Sequence, residues 1–429
     1  MLDFQHIPFD VWTLVFESAH PWPPGSLARC ARTCRTFHDA ATPYVYEEIA
    51  VRQYSGHAKV HTAFDTLAAQ PHLRKSNEII EVELSSARPP KNDNKQDSGM
   101  LAASWAADLA LLPNLESYTL HAVVKHTVSC DFLEAAVNVL CQCAKLKHVG
   151  WQFEIDSRRF AIAGRLTNLQ SMKILRLSQT VLKTFGTWVT QKSTINCIHI
   201  ENTKGMDIEI LPQVRETFLM KGLSRLNIGK GHSLTSDALL SLLERTPSLQ
   251  ELCIFYDNFA FAYGHVDLRP EFCGLPNLER LTVHHQGVGE TSQYADLMAW
   301  ISILAANSPL LSLSIRSDDG KQSRFVGRPI LKLWPMLREL DIRCMELPYP
   351  SFAIVVEQCK YLKVLTFLLR PRHMKQYSDG LKADHNVEII SGSQDRRVRR
   401  SVTSYFNGIA KKQDALTKPV TVKLLILGR

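Results

Sequence analysis

The residues whose types could support bond chemistry are few, and their spacing argues against it. His284 and His285 form the chain's one adjacent histidine pair. Neighbouring residues of a strand point to opposite faces, so the two rings are not expected to share a metal ion. Asp318-Asp319-Gly320 and Asp207-x-Glu209 bring carboxylates close together, but they read as turn and surface chemistry. There is no Gly-rich phosphate loop, no Gly-x-Ser-x-Gly and no His-Glu-x-x-His. The 10 cysteines include no Cys-x-x-Cys pair, and most are expected to be reduced and buried as small hydrophobes. The chain is therefore expected to be no enzyme and to need no cofactor or metal. What remains is recognition chemistry, in a basic cluster, a short apolar module and a long repeat.

The basic cluster is Arg396-Arg397-x-Arg399-Arg400. Lys and Arg number 50 against 42 Asp and Glu, a net charge of +8. Residues 396–429 hold nine of the bases and one of the acids, so the whole imbalance lies there. Arg396, Arg397, Arg399 and Arg400 form a candidate anion-binding or nuclear-import patch. Val420 to Leu427 alternates weakly and could add a closing strand.

The apolar module occupies the first 46 residues. Pro8 suits the first turn of a helix, where a missing N–H costs nothing, and Asp10 lies near the positive helix end. Val11, Trp12, Val15 and Phe16 form one stripe. Pro21, Pro23, Pro24 and Gly25 break that helix. A second helix then carries Leu27, Cys30, Ala31 and Cys34 on one face, followed by Phe37 and Tyr44-Val45-Tyr46. Such a packet is too small to be very stable alone and leaves apolar groups to be covered.

This module resembles the F-box. The residues that carry the resemblance are Ile7-Pro8-x-Asp10-Val11, Val15-Phe16, Leu27, Cys30, Cys34 and Phe37. Trp12 stands where many members have a smaller residue, and Tyr44 through Tyr46 replace a late Trp. The resemblance covers about a tenth of the chain. It implies that Ile7, Pro8, Val11, Trp12, Val15, Phe16, Leu27, Cys30, Cys34 and Phe37 dock a Skp-type adaptor and, through it, a cullin.

The rest of the chain repeats. Apolar-x-x-apolar-x-apolar recurs at Ile79-Val82-Leu84, Leu115-Tyr118-Leu120, Met172-Leu175-Leu177, Ile195-Ile198-Ile200 and Leu223-Leu226-Ile228. It continues at Leu249-Leu252-Ile254, Leu278-Leu281-Val283, Leu310-Leu313-Ile315, Leu337-Leu340-Ile342 and Leu362-Leu365-Phe367. Leu146-Val149-Trp151 and Val387-Ile390 are weaker copies. The step averages about 28 residues and ranges from 23 to 36. The last two apolar residues of each triplet alternate as one face of a strand requires. Helical stretches lie between triplets: Phe132 to Cys143, Ser236 to Glu244 with a Ser N-cap, Tyr294 to Ala306 and Phe352 to Cys359. Pro113, Pro247, Pro276, Pro309 and Pro335 mark the turn into the strand. One strand and one helix cannot bury an apolar face alone, but stacked copies can.

These units resemble leucine-rich repeats of the long, helix-containing kind. The motif's later Asn/Cys position holds Asp257, Gln286 and Met345 in three clear repeats, so the repeats are degenerate. The expected fold class is α/β: a leucine-rich-repeat solenoid, parallel strands on the concave face and helices outside, preceded by a small all-α F-box. A doubly wound α/β domain would need strands rich in Val and Ile on both faces and does not predict a recurring triplet. The expected organisation is 1–48 for the helical module, 49–395 for the solenoid with a disordered insertion at 85–99, and 396–429 for the basic segment or cap.

No positively charged start followed by an apolar run is present, so no signal peptide is expected. Leu297 to Ile315 is uncharged, but Asn307, Pro309 and three serines interrupt it, so it reads as one helix plus one strand. No Asn-x-Ser/Thr acceptor occurs. A cytoplasmic or nuclear location is expected. The expected function is a substrate-receptor subunit of an SCF-type cullin–RING ubiquitin ligase, acting in protein degradation, with an unidentified target protein on the solenoid. The alternative is a non-catalytic binding scaffold outside ubiquitination. Outward strand positions such as Glu251, Cys253, Glu279, Arg280, Thr282, Glu339 and Asp341 are mixed, so no strip selects nucleic acid, and no membrane partner is expected.

Overall fold

The computed structural model describes residues 7–18, 24–54, 63–70, 79–85, 103–122, 128–202, 204, 222–232, 234–257, 274–286, 288, 291–318, 323–324, 335–368 and 388–391. The chain divides into two compact units, Met1–Glu201 and Asn202–Arg429.

The first unit opens with three short helices, α1 (Phe9–Ser18), α2 (Pro24–Ala31) and α3 (Arg35–Val45). The Pro8 carbonyl accepts from the Val11 amide at 3.1 Å, so Pro8 precedes α1 rather than lying in its first turn. Pro24 and Gly25 lie in the first turn of α2, where they start that helix instead of only ending the previous one. Cys34 is the exposed N-cap of α3, not part of α2, which stops at Ala31. Phe16, Leu27, Ala40 and Ala41 form the packet's core, with Trp12, Cys30, Phe37 and Tyr44 packed around it. The Phe37 ring meets Trp12 and Phe16 edge-on, at centroid distances of 4.4 and 5.6 Å.

A parallel sheet follows directly. Its strands are β1 (Glu48–Tyr54), β2 (Ile79–Ser85), β3 (Ser117–Ala122), β4 (His148–Ile155), β5 (Ser171–Leu177) and β6 (Cys197–Asn202), arranged in chain order. The helices between them include α4 (Ala63–Ala69), α5 (Cys130–Leu140), α6 (Ser157–Ala163) and α7 (Gln179–Gln191). Ser129 and Asp156 cap α5 and α6 by accepting from the amides three residues on, at 3.2 and 2.8 Å.

The second unit repeats the plan. Strands β7 (Arg225–Lys230), β8 (Glu251–Asp257), β9 (Arg280–Gln286), β10 (Ser312–Ser317), β12 (Glu339–Glu346), β13 (Val364–Leu368) and β14 (Glu388–Ser391) pair in parallel, and the two-residue β11 (Ser323–Arg324) flanks β12. Helices α8 (Ser236–Leu243), α9 (Thr291–Leu304) and α10 (Tyr349–Gln358) cover one face. Thr235, one residue before the expected Ser236, is the cap of α8; its hydroxyl accepts from the Ala238 amide. No helix among the described residues is long and apolar enough to cross a membrane.

Register aligns the apolar positions. Leu226, Leu252, Leu281, Leu313, Leu340 and Leu365 lie in one row, and Ile228, Ile254, Val283, Ile315, Ile342 and Phe367 in the next. All twelve are buried. The expected α/β leucine-rich-repeat architecture therefore holds within each unit.

Two copies of the triplet are placed differently from the sequence reading. In β2 the row residues are Ile80 and Val82, opposite Tyr118 and Leu120, while Ile79 is exposed. In β5 they are Met172 and Ile174, opposite Val149 and Trp151. Leu177 is also buried, but it lies past a register shift and faces Ile155, which makes Met172-Leu175-Leu177 imitate a triplet. Likewise Ile389, not Ile390, pairs with Leu365.

A backbone pattern recurs at each strand entry. One carbonyl of the preceding repeat accepts from two successive amides. Glu116 takes Lys147 and His148; Lys147 takes Gln170 and Ser171; Gln170 takes Asn196 and Cys197. In the second unit Ser224, Gln250, Glu279, Leu311 and Arg338 do the same, the last for Lys363 and Val364. These brackets stand where a side-chain ladder is missing.

Packing between strands is closest at Gly150. A Cβ there would lie 2.7 Å from Thr119 Oγ1 and 2.8 Å from its Cγ2. Threonine is stiff at χ1 and cannot swing away cheaply. Gly150→Ala is expected to destabilise the first unit by about 1–3 kcal/mol, as overpacking does. Adding Thr119→Ala should recover most of that loss in a urea titration.

Candidate functional site

The ten residues matched to the F-box do not form one surface. Phe16 and Leu27 are interior, and Trp12, Cys30 and Phe37 are half-buried against them. Pro8, Val11, Val15 and Cys34 are exposed, and Ile7 is intermediate. The apolar stripe read along α1 therefore splits in two. Trp12 and Phe16 face the packet, while Val11, Leu14 and Val15, spaced i, i+3 and i+4, face away. Those three are 43%, 62% and 41% exposed, against 3% for Phe16. Seven large hydrophobics are exposed among the described residues, and four of them, with Phe9, lie on this one helix. Leu14 belongs to that face although the family match omits it. Its i+3 spacing from Val11 was the available signal.

The second candidate surface is the strand face that carries no helices. In the first unit it bears alternating charge. Lys147 meets Glu116 at 2.8 Å, His121 meets Glu81 at 2.6 Å and Lys173 meets Glu201 at 2.9 Å. Burial alone would raise the Glu201 carboxyl, but Lys173 outweighs it and holds the group below its ordinary value. Burial, followed by the nearby Lys173 charge, lowers the His199 ring in turn.

In the second unit the same face holds Arg225, Glu251 and Arg280 near the strand entries, with Glu251 between the two arginines. Farther along the strands, Lys230 Nζ reaches Asp318 at 2.5 Å and His284 Nδ1 reaches its other oxygen at 3.1 Å. His285 points the opposite way and is buried, its Nε2 3.5 Å from the Tyr294 hydroxyl. The two rings are thus on opposite faces, as strand alternation requires. Asp319, Gly320, Asp207 and Glu209 lie outside the described residues, as do the 86–99 part of the insertion, Arg396, Arg397, Arg399, Arg400 and the 420–427 segment.

The cysteines differ from expectation. Of the eight described as free thiols, only Cys359 is buried; Cys34 and Cys141 are exposed and the others intermediate. Cys253 and Cys197 occupy outward strand positions, and Cys141 and Cys143 follow a helix end, so the repeat pattern does not bury them. Burial pushes the Cys253 and Cys359 thiols up to about 11, which makes both poor nucleophiles.

Asp318 gives a pH test. Burial would raise its carboxyl, but hydrogen bonds from Lys230 and His284 together hold it below its ordinary value. Its folded pKa is therefore below the unfolded one, about 3.9. The contribution to stability is complete above that value and is lost as pH falls through the folded pKa. Asp318→Asn should melt earlier at neutral pH and show a shallower loss of stability below about pH 4. Thermal melting across that range checks it.

No family model and no curated protein sequence matches the chain. Among solved structures, a chain in the crystal structure of the Rad7–Elc1 complex from yeast is similar at 15% identity and a TM-score of 0.44, covering 84% of this chain and 88% of that one. The leucine-rich repeat-containing protein LegL7 from Legionella pneumophila is similar at 12% identity and a TM-score of 0.30, covering 83% of this chain and 90% of that one.

Proposed function

We propose that the chain is a substrate receptor of an SCF-type cullin–RING ubiquitin ligase. The helical module holds a Skp-type adaptor, and the outward strand faces hold a target protein. The observation that carries this reading is the apolar face of α1, which is left uncovered beside a packed core. Exposed apolar patches of this kind, rimmed by polar residues, mark protein interaction sites. The chain itself does no bond chemistry; it raises the local concentration of a target lysine near a conjugating enzyme. The basic residues Arg396, Arg397, Arg399 and Arg400 supply an import signal or a further anion contact, which places the protein in the nucleus as well as the cytoplasm.

Co-purification with a Skp-type adaptor, followed by a ubiquitination assay on captured proteins, tests the proposal. Capture and ubiquitin transfer support the receptor. Capture without transfer leaves the scaffold reading, and failure to capture the adaptor removes the F-box assignment.

A further inference from the structure

The outward face of the second unit sorts its charges by depth. The acids lie low: the Asp318 and Asp341 side chains are 16% and 17% exposed. The bases above them are more open: Lys230 at 62%, Arg316 at 46%, His284 at 32% and Arg343 at 26%. Each acid is shared by two bases. Asp318 lies between Lys230 and His284. Asp341 takes a fork from Arg343, with Nε to Oδ1 at 2.9 Å and Nη2 to Oδ2 at 2.5 Å, while Arg316 Nη2 stands 3.7 Å away. Three permanent cations and a histidine thus overlie two carboxylates. The row at the strand entries lacks this excess, because Arg225 and Arg280 are set against Glu251 and Glu339. The positive sector is confined to the far ends of β7 to β12.

The floor of this sector is apolar. Phe255 occupies an outward strand position yet is buried, and Lys230 Nζ lies 5.9 Å from its ring centroid. Ser314, hydrogen-bonded to both Arg316 and Asp341, is buried beside it. A partner approaching this face meets ammonium and guanidinium groups first. The recessed acids fix the geometry of those groups without cancelling their charge at the surface. Arg316 retains donors beyond its contact with Ser314, and a planar guanidinium matches a carboxylate in bidentate geometry.

We propose that this sector binds an acidic peptide segment, with carboxylates taken by Lys230, Arg316 and Arg343 and with His284 at the edge. The proposal rests on the receptor reading only in assigning that segment to a target; the binding itself needs no adaptor.

The test uses the full chain, without adaptor, and a fluorescein-labelled oligo-glutamate peptide read by anisotropy. Oligo-lysine and phosphoserine peptides of equal length are the comparisons. Lys230→Gln with Arg316→Gln leaves each acid one base, and it should raise the Kd at least about tenfold with an unchanged melting temperature. Asp341→Asn adds net positive charge and should lower the Kd. Added salt should weaken the wild-type complex. Equal binding of oligo-lysine overturns the proposal. So does weaker binding by the Lys230/Arg316 and Asp341 variants alike, which would make the cluster structural. Binding of the phosphoserine peptide alone would replace the carboxylate site by a phosphate site. Val11→Asp with Val15→Asp should leave the peptide Kd unchanged, so loss of adaptor capture and loss of peptide binding are separable results.

Discussion

Leu281→Asp is expected to leave the second unit unfolded. Leu281 lies in the middle of the leucine row, with Leu252 and Leu313 on the neighbouring strands, and is essentially inaccessible. No cation reaches that row, whose members are all apolar. A carboxylate placed there would lose its hydration without a partner, a cost of several kcal/mol or more. Total stabilities of about 5–15 kcal/mol leave little margin for such a loss. In a repeat stack each unit buries its apolar face against its neighbours, so the defect removes support from both sides. Leu281→Ala should be intermediate, at about 2–5 kcal/mol. Thr282→Asp, one residue on but facing outward, should cost much less. Circular dichroism melting and limited proteolysis of the three variants check the order. A Leu281→Asp chain that melts like wild type would show that the row is not a continuous core.

Val11→Asp with Val15→Asp is expected to abolish capture of a Skp-type adaptor while leaving the helical module folded. Both side chains are exposed and point away from Phe16 and Leu27, so new charges there stay hydrated. In a complex they would be buried at the centre of the interface. Apolar anchors in such places contribute about 2 kcal/mol or more each, so the pair should lower affinity by at least about a thousandfold. Phe16→Ala is a different experiment. Its loss of binding would follow from collapse of the packet, since the ring packs against Phe37 and the small core. Comparing melting curves with adaptor pull-down separates the two. A double Asp variant that is captured as well as wild type would remove α1 from the interface.

The repeat was legible because its signal is redundant. Triplets such as Leu278-Leu281-Val283 and Leu337-Leu340-Ile342 recur often enough to fix strand identity, pairing order and inward rows. Reading failed at β2 and β5 for a local reason. Both strands carry extra apolar residues, Ile79 in one and Leu177 in the other, and period-two alternation cannot choose a frame by itself. On α1 the ambiguity was rotational. Val11, Trp12, Val15 and Phe16 are contiguous and all apolar, so nothing in their order says which half packs inward. The basic sector was hidden more deeply. Its members come from four strands and a turn, and the layering of acids beneath bases depends on side-chain depth, which no linear spacing encodes.

The paired amides at each strand entry bear on how the chain tolerates change. Each carbonyl, from Glu116 to Arg338, receives two successive donors, so a one-residue slip would forfeit that paired arrangement. Alignment is thus set locally, at the point where the strand begins. The chain between one strand's end and the next strand's entry need not have a fixed length, because loop closure grows only slowly costlier with added residues. That freedom fits steps of 23 to 36 residues in one stack. Insertions and deletions can accumulate in the connections while the rows stay in line, and such drift erodes the spacing by which the repeat would be recognised from sequence.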